Sequence, residues 1–436
     1  MNKKILCTVV LLSLTTQLIG CKQKNEELVK RIVLESDVRD QKLGQKNKNP
    51  KVTVEKIDLK LDEEDYFEPA FYHEGEVYGA IDKGYGEISR SDKATAAHPI
   101  AGYMKEYLYK VDDDNNLIET SKEAFNFIWR AKMLGFKLFE NDKVFSIDYK
   151  KEDKIKEIPE LTKIISELKE RSGYDSACHI RLNSNNENYV EIYITTASNK
   201  EKLYLYDMKS KKLYDVHDKE YEKNGCLNTL NYVDSLQSLV WINKDFKIYK
   251  LKLEKENAFF ESYINLDKYI GTNKKDKIDN VSGVMINSDE MLIFQDEYIN
   301  EQGPYLYRPL YRTISISKFN FKTNQYRVLF EVPDGINMWA KYIGNNMLDI
   351  EEFKQNEKTM ESIIPINRYI KEIRNDELNV IYKEKIEDEG EILYPNVYIA
   401  LSEDGTEVFL ARHLTKFEDD TVKTKDIVYK KYKIEY

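Results

Sequence analysis

Lys202-Leu-Tyr-Leu-Tyr-Asp-Met-Lys-Ser-Lys-Lys-Leu-Tyr-Asp-Val216 is a strand, a charged turn and a return strand in fifteen residues. Apolar and aromatic side chains alternate on either side of a polar Asp-Met-Lys-Ser-Lys turn, the pattern of an antiparallel hairpin. Similar cassettes stand at Glu106–Ile118, Val144–Ile158, Ile248–Tyr263, Ser315–Val332 and Tyr382–Ile392. Each lies next to a strand pair with a polar turn, as in Val397-Tyr-Ile-Ala-Leu-Ser-Glu-Asp-Gly-Thr-Glu-Val-Phe-Leu-Ala411. The unit recurs roughly every 40–60 residues, and four short strands per such period mark a β-propeller blade.

Working outward gives seven blades: 66–120, 125–159, 174–218, 226–266, 281–333, 336–386 and 393–436, with six or eight as alternatives. Val52–Leu59 is then free to pair with the last blade and close the ring. The competing all-β architectures are a large β-sandwich and a pair of β domains. The 32 tyrosines suit half-covered strand surfaces, where the ring is buried and the hydroxyl stays wet. One segment departs from the strand pattern. Leu161, Ile164, Ile165 and Leu168 form a helical stripe, Pro159 suits a first turn and Gly173 a C-terminal stop, which predicts a single helix near 159–172 packed on the β body.

The cassettes resemble the degenerate blades of TolB-like and WD-repeat-like propellers, and Leu401-Ser-Glu-Asp-Gly405 resembles their Ser-x-Asp-Gly turn. The Trp-Asp dipeptide of true WD repeats occurs nowhere in the chain. The resemblance implies a ring of blades over about residues 60–436. At the start of the chain, Lys3 and Lys4 precede the mostly apolar run Ile5–Leu14, which is too short to span a bilayer. Leu18-Ile19-Gly20-Cys21 follows and resembles the lipobox of bacterial lipoproteins. That resemblance implies a signal peptide at 1–20, lipid on Cys21, cleavage before it, and a cell-membrane location on the extracytoplasmic face. Residues 21–51, polar apart from Leu28–Leu34, read as a tether, with docking of that patch on the body as the alternative. The propeller domain then occupies 52–436.

A formal charge of −10, with both signs mixed along the chain, argues against nucleic acid as a partner. Besides the lipid contact with the membrane, the partner expected is a surface protein, a peptide or a wall polymer. The five histidines (His73, His98, His179, His217 and His413) stand in no catalytic motif. Cys178 and Cys226 match no zinc or redox spacing, and export permits a disulfide between them as readily as two separate thiols. Asp112, Asp114, Asn116 and Glu123 stand at the offsets of positions 1, 3, 5 and 12 of a calcium loop. Leu117 occupies the position where such a loop needs glycine, and a solvated hairpin tip is the competing reading. Two stretches, Gly84–Tyr103 and Gln295–Leu310, are the least strand-like and are candidate binding lips. No catalytic residue emerges. The leading expectation is a binding module without catalysis; a hydrolytic or carbohydrate-active enzyme and a transporter's solute-binding lipoprotein are the alternatives, the last lacking the alternating strand–helix pattern of two α/β lobes.

Overall fold

A computed structural model describes residues 30–33, 50–61, 65–83, 88–89, 107–123, 134–138, 143–148, 156–172, 177–182, 186, 188–195, 201–217, 221, 230–269, 277–300, 310–355, 363–386, 396–418 and 421–436. Within each blade, strands next to one another in the chain pair antiparallel, and the last strands of the third and fourth blades also touch in parallel, at Asp215↔Asn257 and Val216↔Ala258. Blade one holds Asp65–His73, Glu76–Lys83, Tyr107–Val111 and Leu117–Glu123. Blade two shows Leu134–Leu138, Val144–Asp148 and Lys156–Glu157 among the described residues. Blade three is Ala177–Leu182, Tyr189–Thr195, Glu201–Asp207 and Lys212–Val216, and blade four is Asn231–Val233, Ser238–Ile242, Lys247–Glu254 and Asn257–Asn265. Blade five is Asn280–Met285, Glu290–Asn300, Leu310–Asn320 and Gln325–Glu331; blade six is Asn337–Gly344, Met347–Gln355, Ile363–Arg374 and Glu377–Lys385. The described residues form a β-propeller of seven blades.

Blade seven is built from both ends of the ring. Asn396–Leu401, Glu407–Glu418 and Thr421–Glu435 supply three strands, and Lys51–Ile57 adds the fourth, from Lys51↔Glu435 to Ile57↔Tyr429. The ring closure read from Val52–Leu59 is therefore present. Within the stretch expected as a tether, the backbone of Lys30–Val33 adds a parallel strand to the outer edge of blade five, from Lys30↔Gln325 to Val33↔Val328, as in the docking alternative.

Alternation along each strand gives a blade two apolar faces, and each face needs a neighbouring blade to cover it. The buried apolar residues accordingly lie in layers between blades. Trp241, Tyr249 and Phe260 of blade four meet Leu203, Leu205 and Tyr214 of blade three. Met291, Ile293 and Phe319 of blade five meet Val240 and Ile248 of blade four. Phe67 and Tyr72 of blade one meet Phe409 and Tyr429 of blade seven, and the Tyr429 hydroxyl accepts from the Phe67 backbone N–H at 2.8 Å.

The predicted helix is observed at Pro159–Ser172, with Leu161, Ile165 and Leu168 buried and Ile164 packed beside them. It sits on Val144 of blade two and on Val190, Ile192 and Ile194 of blade three, so its stripe fills the wedge between those blades. The Thr162 hydroxyl accepts from the Val144 backbone N–H at 3.0 Å and pins it there.

The Ser-x-Asp-Gly turn explains itself in hydrogen bonds. Asp404 Oδ1 accepts from the Ser402 hydroxyl (2.7 Å) and from the backbone N–H and hydroxyl of Thr406. Gly405 has φ +75°, in the left-handed region that a side chain disfavours. Those donors hold the Asp404 carboxyl below its ordinary range.

If the amino-terminal strand closes the ring, truncating its buried end should unlock the whole fold. Ile57→Ala is expected to cost about 2–4 kcal/mol in chemical denaturation. Glu55→Ala, on the exposed face of the same strand, is expected to stay within about 0.5 kcal/mol.

Candidate binding face

Within a blade the strands alternate in direction, so the connections joining first to second and third to fourth strands share one end of the ring. Those joining second to third strands, and one blade to the next, share the other. The first end is made of tight polar turns: Glu74-Gly75, Asp112–Asn116, Met208–Lys211, Asn345-Asn346, Asn375-Asp376 and Ser402–Thr406. Left-handed residues concentrate there, including Glu74, Asn115, Lys211, Asn345, Asn346, Asn375 and Asp376. The second end carries the longer connections, among them 84–106, 124–133, 217–230, 266–279, 301–309, 356–362 and 387–395. The backbone of Ile88-Ser89, in the first of these, pairs with Val422-Thr421 of blade seven.

Both stretches expected as lips thus leave from this second end. The later one is shorter than the sequence suggests. The strand that starts at Glu290 continues to Asn300 through bulges after Gln295 and Tyr298, and its partner begins at Leu310. Gln295 and Asp296 look like loop residues in sequence because they are polar, yet both are buried in the sheet.

Asp296 lies at this end of blade five. Its carboxylate accepts from the Thr313 hydroxyl (3.0 Å) and the Asn280 amide (3.3 Å), and Thr313 Oγ1 in turn accepts from the Ala340 N–H of blade six. Burial pushes the Asp296 carboxyl up to about 6, against the pull of those two donors. On the neighbouring positions Glu297 Oε2 takes Arg312 Nε at 2.9 Å and Nη2 at 2.6 Å, and Arg312 Nη1 donates to Asn337 Oδ1 of blade six at 2.7 Å. The Trp339 indole N–H donates to the Tyr311 carbonyl across the same seam.

Between blades six and seven runs a buried ionic seam. Arg368 Nε meets Asp349 Oδ1 at 2.7 Å, and Arg412 Nη2 meets Glu351 Oε1 at 2.7 Å. Glu384 takes the Tyr432 hydroxyl at 3.0 Å and Lys430 Nζ at 2.9 Å. Burial opposes the Arg368 charge, but the Asp349 carboxylate beside it outweighs that cost and its pKa rises. Lys371, fully buried on the other face of blade six, lies 4.9 Å from the Phe330 ring centroid, and burial lowers its pKa to about 8. None of these residues stands out in a sequence that is 33% charged.

The residues singled out from sequence fall elsewhere. Asp112, Asp114 and Asn116 form a tight turn in which Asp112 Oδ1 accepts from the Asp114 N–H (3.0 Å) and the Asn116 N–H (2.8 Å). Those bonds hold the Asp112 carboxyl down. Glu123 ends the strand that leaves this turn, about 20 Å along its backbone from Leu117. Among the described residues no group of three His, Cys, Asp or Glu is placed to hold a metal. Cys178 lies on the first strand of blade three, while Cys226, Cys21 and His98 lie outside the described residues.

No family model matches the sequence, and no curated protein does. Among solved structures the chain is similar to the WD40 domain of Toxoplasma gondii coronin, at 8% identity over 88% of this chain and 87% of that one, with a TM-score of 0.37. It is also similar to the β-propeller domain of the Trilobed protease from Pyrococcus furiosus, at 8% identity over 84% of each chain, TM-score 0.33. A post-proline cleaving enzyme from Rickettsia typhi matches at 8% identity over 64% of this chain and 48% of that one, TM-score 0.31. The strand order itself carries the fold assignment.

Two measurements check the buried charges. A carboxyl whose pKa rises on folding binds its proton more tightly in the native state, so its contribution weakens the fold as pH climbs from about 4 to about 6. Denaturation midpoints across that window should show a smaller such decline in Asp296→Asn than in the parent chain. Arg412→Ala, which breaks the buried pair with Glu351, is expected to cost about 3–5 kcal/mol, and Arg412→Met with Glu351→Leu to recover most of it.

Proposed function

We propose that this chain is a lipid-anchored extracytoplasmic lipoprotein whose propeller serves as a binding module and offers its long-connection end to a partner. The partner is a surface protein, a peptide or a wall polymer. The asymmetry between the two ends of the ring carries this reading. One end carries tight turns such as Asp112–Asn116 and Ser402–Thr406, whose carboxylates accept from their own turn, whereas the longer connections leave from the other. Loops on a rigid scaffold are where recognition residues accumulate. The basic start, short apolar run and Leu18-Ile19-Gly20-Cys21 support the anchor, and a propeller held by lipid meets partners outside the membrane. Two acyl chains make that attachment lasting, since one gives only reversible binding.

Metabolic labelling with palmitate checks the anchor: the parent chain carries label and sediments with membranes, while Cys21→Ser carries none. Label persisting in Cys21→Ser would remove the lipoprotein assignment. A photo-crosslinker placed at Tyr311, on the long-connection end, is expected to form adducts on intact cells, and one placed at Lys209, in a tight turn, to form none. Adducts from Lys209 alone would reverse the assignment of the faces.

A further inference from the structure

We infer that the tight-turn end of the ring faces the lipid bilayer, and that the rim strand Lys30–Val33 sets this orientation. The inference rests on the lipid anchor at Cys21 and adds which way the anchored ring points. Ring closure is complete in the pairing of Lys51–Ile57 with Thr421–Glu435, so Lys30–Val33 is a second and separate rim strand. It covers the outer edge of blade five, where Gln325–Glu331 would otherwise end the sheet as an open edge.

The direction of that strand carries the inference. Gln325 follows the tight turn of Lys322, Thr323 and Asn324, in which Asn320 Oδ1 accepts from the backbone N–H groups of Lys322 (3.0 Å) and Thr323 (2.9 Å). Glu331 lies at the opposite, long-connection end of the same strand. The pairing is parallel and runs from Lys30↔Gln325 to Val33↔Val328, so the chain meets blade five at its tight-turn end and climbs toward the other. Eight residues separate Cys21 from Lys30, and nine extended steps reach about 30 Å. With the tight-turn end toward the bilayer, all of that reach is available to the lipid. Turning the ring over would send the same segment back along the blade, a path of about 20 Å for a seven-residue strand. Only about 10 Å of chain would then remain between the long-connection end and the bilayer. A segment pulled that close to full extension also gives up conformational freedom. The geometry therefore holds the longer connections away from the membrane, where an external partner can reach them.

The test uses the full chain, acylated at Cys21, purified from membranes and reconstituted in vesicles of phosphatidylethanolamine and phosphatidylglycerol that carry an energy-accepting lipid dye. A donor dye is attached through a non-natural residue at Lys322, exposed in the tight turn, or at Asp334, exposed in the connection from blade five to blade six. Energy transfer to the bilayer is expected to be about twofold or more stronger from Lys322, given a separation of about 20 Å along the blade. Neighbouring residues of a strand point their N–H groups in opposite directions, so Arg31→Pro with Ile32→Pro removes a donor from the rim pairing whichever residue faces blade five. That double variant should erase the difference between the two dye positions while its circular dichroism matches the parent chain. Equal transfer from both positions, or stronger transfer from Asp334, in a chain attached to the vesicles would overturn the inference. A difference that survives the two prolines unchanged would overturn the role of the rim strand. A parent chain that carries no acyl group and stays off the vesicles would remove the lipoprotein reading, and the orientation with it.

Discussion

Every blade in this ring depends on one antiparallel pairing, that of Lys51–Ile57 with Thr421–Glu435. A four-stranded sheet with two apolar faces cannot bury both alone, and a row of such sheets leaves raw faces at its ends. Bending the row into a ring removes the ends, provided that first and last blades are locked together. Here the strand ahead of blade one, Lys51–Ile57, lies on the outer edge of the last blade. Joining residues so far apart costs only slowly more entropy as the loop lengthens, so a long chain can close this way. In return the pairing brings Ile57, Phe67, Phe409 and Tyr429 into one apolar layer, and Ile343, Ile370, Leu410 and Tyr432 into the next.

The buried charges beside that closure have a different physical character. An Arg–carboxylate pair inside a protein is expensive to desolvate, and a well-packed apolar replacement is often as stable. The seam from Asp349 to Lys430 adds to the apolar contacts a set of partners that fit only in register. Sliding blade seven by one residue would turn Arg412 away from Glu351 and break their ion pair. The same logic holds between blades five and six, where Asp296, Thr313 and Ala340 are linked in a short chain of hydrogen bonds. These seams fix the rotation of neighbouring blades and hence the spacing of the side chains along the long-connection end.

Much of the architecture was legible because it is local. Hairpin cassettes, polar turns and the 3.6-residue stripe of Pro159–Ser172 each declare themselves within about fifteen residues, and Val52–Leu59 stood out as a strand lacking a sequential partner. The site was not legible, because its parts are assembled by the ring. Glu297 and Arg312 are separated by the 301–309 connection, and Asn337 and Trp339 belong to the next blade; nothing in sequence spacing ties them together. Arg368 and Arg412 looked like ordinary solvated charges in a chain rich in both signs. The Asp112–Asn116 spacing drew attention to a cation, yet its strongest feature in the structure is a carboxylate satisfied by its own turn. Polarity misled at Gln295 and Asp296 as well, where a strand continues through a buried polar pair.

Amide hydrogen exchange of the full chain tests the closure most directly. If the ring is locked as described, the amides of Lys51–Ile57 that bond to the last strand will exchange as slowly as those of Val428–Ile434, and both will open together under mild denaturant. Exchange of Lys51–Ile57 at the rate of unstructured chain, with Val428–Ile434 still protected, would contradict a ring closed by its amino-terminal strand.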